Sequence, residues 1–103
     1  MSEYSIDALL KKAVELRASD VHFIVGEVPS FRIDGKIVKS NLPIYTEDDM
    51  MDAIEKMAPI SMRDKVAHSF DSDFPYEIPD LARFRANVAM TFGLHSMTIR
   101  IVS

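Results

Sequence analysis

Cysteine is absent from this 103-residue chain, which excludes a disulfide framework and any thiolate metal centre and makes a reducing compartment the simpler setting. No apolar run approaches the roughly 18 residues that a membrane span requires, and Met1-Ser2-Glu3-Tyr4 has none of the basic character that opens a signal peptide. A soluble, cytoplasmic chain is the expectation. Positive charge is in short supply too. With 12 Lys and Arg against 16 Asp and Glu the net charge is −4, the reverse of the clustered cationic surface that reads nucleic-acid phosphates, so no nucleic-acid partner is expected. The three glycines nowhere form a G-x-x-x-x-G-K-[ST] loop, and the backbone cradle, phosphate lysine and Mg²⁺-binding hydroxyl of that motif are missing together. Internal repeats and low-complexity linkers are lacking as well.

What is there is an ordinary globular composition, 48% hydrophobic and 27% charged, at the length of one domain with a single core. Ile6, Leu9, Leu10, Ala13 and Val14 recur at helical spacing behind Ser5 as N-cap, which predicts an amphipathic helix ending near Arg17. From Asp20 to Val25, Val21, Phe23 and Val25 alternate with His22 and Ile24, a strand with some burial on both faces. Asp34-Gly35 between Phe31, Ile33 and Ile37, Val38 signals a tight hairpin. Thr46 and the carboxylates Glu47-Asp48-Asp49 start a second helix, whose stripe of Met50, Met51, Ile54, Met57 and Ala58 ends at Pro59. Ser61, with Asp64 in a weakened capping box, is expected to cap a short third helix that turns Met62, Val66 and Phe70 inward. The acidic run from Asp71 to Asp80 follows, where Pro75 admits only an edge strand. Together these elements predict an α+β domain, a largely antiparallel sheet with helices packed on one face.

The most informative segment is Leu81-Ala82-Arg83-Phe84-Arg85-Ala86-Asn87-Val88. Alternation puts Ala82, Phe84, Ala86 and Val88 on an apolar face and Arg83, Arg85 and Asn87 on a cationic one. If Phe92-Gly93 forms the centre of a tight hairpin, Arg85 stands opposite Arg100 in the closing strand. Like charges directly across a ladder repel. Unless the register slips by one, something negative should sit between them: Asp20, Glu77 or Asp80 of this chain, a carboxylate of another chain, or a bound phosphate, since arginine suits carboxylates and phosphates alike.

Other constellations invite chemistry less strongly. Asp71, Asp73 and Glu77 lack the glycine and spaced donors of a calcium loop, so a solvated acidic turn is the better reading and no metal is assigned. Ser19, Asp20 and His22 supply the residue types of a hydrolytic triad, but no nucleophile elbow surrounds the serine. His22, His68 and His95 show no metal-ligand spacing and read as structural. The seven methionines fall mostly on helical core positions, where their flexible thioethers fill gaps.

In order along the chain come Arg17-Ala18-Ser19-Asp20-Val21-His22, Phe31-Arg32-Ile33-Asp34-Gly35, Asn41-Leu42-Pro43, Asp71-Ser72-Asp73-Phe74, Ala82-Arg83-Phe84-Arg85-Ala86-Asn87 and Ile99-Arg100-Ile101-Val102-Ser103. This series, from about Ile6 to Ser103, resembles the N-terminal domain of the PilT-like type IV pilus retraction ATPases, within the type II and type IV secretion ATPase superfamily. The closing Val102-Ser103 departs slightly from the family's usual Ile-Pro-Ser. The resemblance implies a PAS-like domain covering 1–103. It also implies a flexible link to a RecA-like ATPase domain whose Walker A, Walker B, Asp-box and His-box elements are absent from this sequence, so a single domain divided at that link is expected.

By the same resemblance the longer protein would be a cytoplasmic homo-hexameric motor, peripheral to the inner membrane beside pilus base proteins and using ATP and Mg²⁺. This chain alone would bind no cofactor and carry no catalytic residue. Carried over by position, Arg85 and Arg100 would reach the nucleotide phosphates of the RecA-like domain of the same or a neighbouring subunit. Arg83, Asp20 and His22 would make interdomain or intersubunit contacts. The alternative is a free-standing PAS-like module that binds a small anionic ligand or a partner protein through the same arginines.

Overall fold

The computed structural model describes residues 5–68 and 71–102. Among them run α1 (Ile6–Glu15), β1 (Asp20–Ile24), β2 (Ser30–Ile33), β3 (Lys36–Lys39), α2 (Glu47–Met57), a 3₁₀ turn (Ile60–Met62), α3 (Arg63–His68), β4 (Asp71–Ile78), β5 (Ala82–Thr91) and β6 (Leu94–Val102). Ser5 caps α1 by accepting the Ala8 N–H at 3.3 Å. The helix stops in a Schellman turn: Ala18 N–H reaches Ala13 O and Arg17 N–H reaches Val14 O, with Arg17 itself left-handed at φ 58°. Thr46 and Asp49 form a reciprocal capping box on α2, with bonds of 3.1 and 2.8 Å.

The third helix starts later than its sequence implies. Ser61 lies inside the 3₁₀ turn, where Met62 N–H bonds Pro59 O at 2.8 Å, and α3 begins only at Arg63. Proline fixes the backbone two residues before Ser61 and favours this tight turn over a capped α-helical start. Val66 is fully buried and Met62 half-buried as expected, while Phe70 lies outside the described residues.

The strands form one antiparallel sheet in the order β3-β2-β1-β6-β5-β4. Its inner face carries Val21, Phe23, Phe74, Phe84, Ala86, Val88, Met97 and Ile99. Against it pack Leu9, Leu10 and Ala13 of α1 and Met50, Ile54 and Met57 of α2 in a single core. Among the described residues no helix packs on the other face, and its central positions, Asp20, His22, Arg85, Asn87, Thr98 and Arg100, are polar. Three tight turns set the registers. Asp34-Gly35 (φ 51° and 77°) and Phe92-Gly93 (φ 53° and 77°) are both type I′ centres. Pro79-Asp80 is type II, with Leu81 N–H bonded to Ile78 O and Asp80 at φ 64°. Tyr76 ties the edge strand β4 to the helical layer, donating its hydroxyl to Asp7 Oδ1 at 2.6 Å, and Asp7 in turn sits 3.7 Å from Lys56 of α2.

Phe92 is fully exposed and occupies a left-handed position that suits Asn or Gly. Phe92→Asn should therefore raise the unfolding free energy by about 1 kcal/mol, read as a higher urea midpoint with unchanged slope. A second expectation concerns alkaline pH. Burial, and then the hydrogen bond and charge of Asp7, push the Tyr76 phenol above its usual 10.0. The stability this contributes is present below that value and lost as pH rises through the folded-state value, because the unfolded chain ionises first. Tyr76→Phe should cost about 1 kcal/mol at neutral pH and flatten the loss of stability above pH 10, measured by denaturant titration across the alkaline range.

Candidate functional site

On the uncovered face the strands bring polar residues into rows. One row runs Arg32 on β2, Asp20 on β1, Arg100 on β6, Arg85 on β5 and Pro75 on β4. The adjacent row runs Ser30, His22, Thr98, Asn87 and Asp73. Arg85 and Arg100 do face each other, because the Phe92-Gly93 turn sets the β5·β6 register as its length requires. With Asp73, Asn87 and Thr98 they line a polar depression of about 340 Å³.

None of the carboxylates expected to neutralise this pair does so. Glu77 sits 3.7 Å from Arg83, an exposed contact at the sheet edge. Asp20 accepts from Ser19 Oγ at 2.7 Å through Oδ1, while Oδ2 meets His22 Nε2 and lies 3.7 Å from Arg32 Nε. Asp80 occupies the left-handed corner of the β4–β5 turn. Asp71 and Asp73 receive the Asn87 side-chain amide at 2.5 and 3.1 Å. Among the described residues no carboxylate forms an ion pair with Arg85 or Arg100. Two planar guanidinium groups therefore line an open depression together with an amide, a hydroxyl and the Asp73 carboxylate, which is engaged by the Asn87 amide; the paired cations suit an oxyanion carrying more than one charge.

Asp20 and His22 lie in the same two rows, close to the arginine pair, whereas Arg83 projects from the end of β5. A hydrolytic triad is not assembled. Ser19 and His22 both address the carboxylate of Asp20, so the imidazole does not take the serine proton. The other histidines are structural: buried His95 bonds Glu47 at 2.6 Å and ties β6 to the start of α2, and His68 bonds the Asp64 carbonyl at 2.9 Å. Among the described residues no group of three or more His, Asp or Glu is placed to hold a metal ion.

Asp73, Asn87, Thr98 and Arg32 were not singled out as site residues by sequence. The signal for Asn87 and Thr98 was present, since strand alternation puts Asn87 beside Arg85 and the hairpin register pairs it with Thr98. Arg32 and Asp73 depend on strand neighbours set by the whole sheet. A larger groove of about 750 Å³ opens between α1 and the β2–β3 hairpin, floored by Leu9, Phe31, Val38 and Leu42. Lys12, Lys39, Ser40 and Asn41 also line it, and none of the residues of the two polar rows does.

No family model matches the chain. It is 32% identical over 82 residues to the type IV pilus retraction ATPase PilT of Pseudomonas aeruginosa, a match covering 80% of this chain and 24% of that protein. The crystal structure of the pilus retraction motor PilT with bound ADP superposes with a TM-score of 0.86 at 31% identity, over 98% of this chain and 30% of the motor. The DotB ATPase of Legionella pneumophila shares the fold, with a TM-score of 0.78 at 23% identity over 94% of this chain and 28% of its own. This chain thus spans about a quarter to a third of the length of these relatives. Among the described residues no helix is long and apolar enough to cross a membrane.

Because Arg85 repels Arg100 and pairs with no carboxylate of the described residues, Arg85→Ala should leave the thermal midpoint of the chain unchanged or slightly higher. A fall of several degrees would mean that Arg85 holds the sheet together.

Proposed function

This chain is a counterpart of the N-terminal domain of the PilT-like ATPases of the type II/IV secretion superfamily, and on that premise we propose that it serves a pilus retraction motor by lending Arg85 and Arg100 to the phosphates of a nucleotide. The nucleotide would be held by a RecA-like ATPase domain, of the same subunit or of its neighbour in a homo-hexameric ring. The observation that carries this reading is the Arg85–Arg100 pair, facing across the β5·β6 ladder without an ion-pair partner among the described residues. In phosphoryl transfer negative charge spreads over the γ-phosphoryl oxygens and builds on the leaving bridging oxygen, and guanidinium groups brought there stabilise that charge more in the transition state than in the ground state. Two cations already set opposite each other across the ladder would need little rearrangement to meet an anion.

In this arrangement ATP and Mg²⁺ belong to the ATPase domain, and Arg83, Asp20 and His22 contribute to the surface between domains or subunits. The motor would work in the cytoplasm against pilus base proteins at the inner membrane. A second reading keeps the same arginines and dispenses with the ATPase domain: the polar depression is open and would take a small multivalent anion directly. Catalysis separates the two.

In a protein that carries this domain together with its ATPase domain, Arg85→Ala or Arg100→Ala should lower the maximal ATPase rate at least about tenfold, or about 1.4 kcal/mol of transition-state stabilisation. ADP affinity should barely move, and Arg85→Lys should rescue poorly because an ammonium lacks the guanidinium fork. Unchanged turnover in both alanine variants would leave only the anion-binding module. The 103-residue chain alone should show no metal-dependent ATP turnover.

A further inference from the structure

Ser19, Asp20 and His22 have no task in the phosphate contact itself, yet their placement bears directly on Arg100. Ile101 N–H bonds Ser19 O at 3.0 Å, which makes Asp20 and Arg100 a non-hydrogen-bonded pair of the β1·β6 ladder. Side chains approach most closely at such pairs. Arg100 is thus flanked by Asp20 on one side and Arg85 on the other. A carboxylate and a guanidinium in this relation ordinarily pair. Here they do not, because both carboxylate oxygens are engaged elsewhere. Ser19 Oγ donates to Oδ1, His22 Nε2 lies against Oδ2, and Arg32 Nε stands 3.7 Å away. His22 is held in turn, with its Nδ1 3.5 Å from Oγ1 of Thr98, which lines the arginine depression. Asp20 is only 7% exposed, so water does little to quench its charge toward the neighbouring strand.

We propose that Asp20 is an internal competitor for Arg100, and that Ser19 and His22 are positioning residues that turn its carboxylate away and keep the Arg85–Arg100 site open to a polyvalent oxyanion. The proposal rests on the phosphate-binding reading and adds a control to it. Its consequence is a difference of sign within one cluster. Removing the charge of Asp20 strengthens anion binding, whereas removing Ser19 or His22 frees Asp20 to pair with Arg100 and weakens it. A cluster that merely supports the fold would not produce opposite signs.

The test is titration of the chain with inorganic pyrophosphate, followed by the NMR signals of the Arg85 and Arg100 Nε–H groups, with the thermal midpoint recorded for each variant. Asp20→Asn should lower the dissociation constant about threefold, because it removes one negative charge from the strand position beside Arg100, where the anion would sit. Ser19→Ala and His22→Ala should raise it by a similar factor, and Asp20→Asn combined with His22→Ala should behave like Asp20→Asn alone. Without ligand, His22→Ala should slow exchange of the Arg100 Nε–H as the new pair forms. If the Asp20 variant loses its fold, Ser19→Ala decides alone, since Ser19 is an exposed residue: unchanged or tighter binding overturns the proposal. All variants shifting in one direction also overturns it while leaving the phosphate reading intact. Absence of any pyrophosphate response at either arginine of the unaltered chain overturns both.

Discussion

Coverage of one sheet face and not the other is the constraint on which the rest of this structure depends. The helices bury their apolar stripes against Val21, Phe23, Phe84, Val88 and Ile99, and every strand must then present its alternate residues to the opposite, open face. A slip of one residue would drive Arg85 or Arg100 into the core, where an unpaired charge costs several kcal/mol. Hydrophobic burial therefore fixes the register, and the register aligns the two guanidinium groups. The local repulsion between them is small, a fraction of a kcal/mol for an exposed cross-strand pair, and is easily outweighed by the core beneath.

Much of this was legible from residues close together in sequence. The two I′ turns were marked by Asp34-Gly35 and Phe92-Gly93, and the second of these turns was enough to pair Arg85 with Arg100. Helix starts followed from Ser5 and Thr46, whose side chains bond backbone a few residues on. The third helix was misplaced because the Pro59 turn competes with the Ser61 cap over the same few residues. The alternatives left open around the arginine pair could not be resolved in sequence for a different reason. Which carboxylate reaches which cation depends on β1 lying between β2 and β6, a long-range arrangement that hydrophobic periodicity does not encode.

The sequence match covers 80% of the chain and the fold match 98%, while the relatives are more than three times longer. That disproportion fits the chemistry of the open face. Two cations, an amide and a hydroxyl beside the Asp73 carboxylate can recognise an oxyanion, whereas the G-x-x-x-x-G-K-[ST] loop that cradles nucleotide phosphates does not occur in this sequence. Under the proposed function the domain would complete a site built elsewhere. It presents side chains on a rigid sheet, whose positions vary less than those of loop residues.

The ends of the sheet carry a consequence for how such domains coexist at high concentration. β3 is four residues long, wholly exposed, and bounded by Lys36 and Lys39, while β4 at the far margin carries Pro75 among Asp71, Asp73 and Glu77. Short length, lysine charge and a missing backbone donor each discourage another strand from joining at an edge. The sheet is in effect self-terminating: when copies of this domain are crowded together, its margins disfavour edge-to-edge growth.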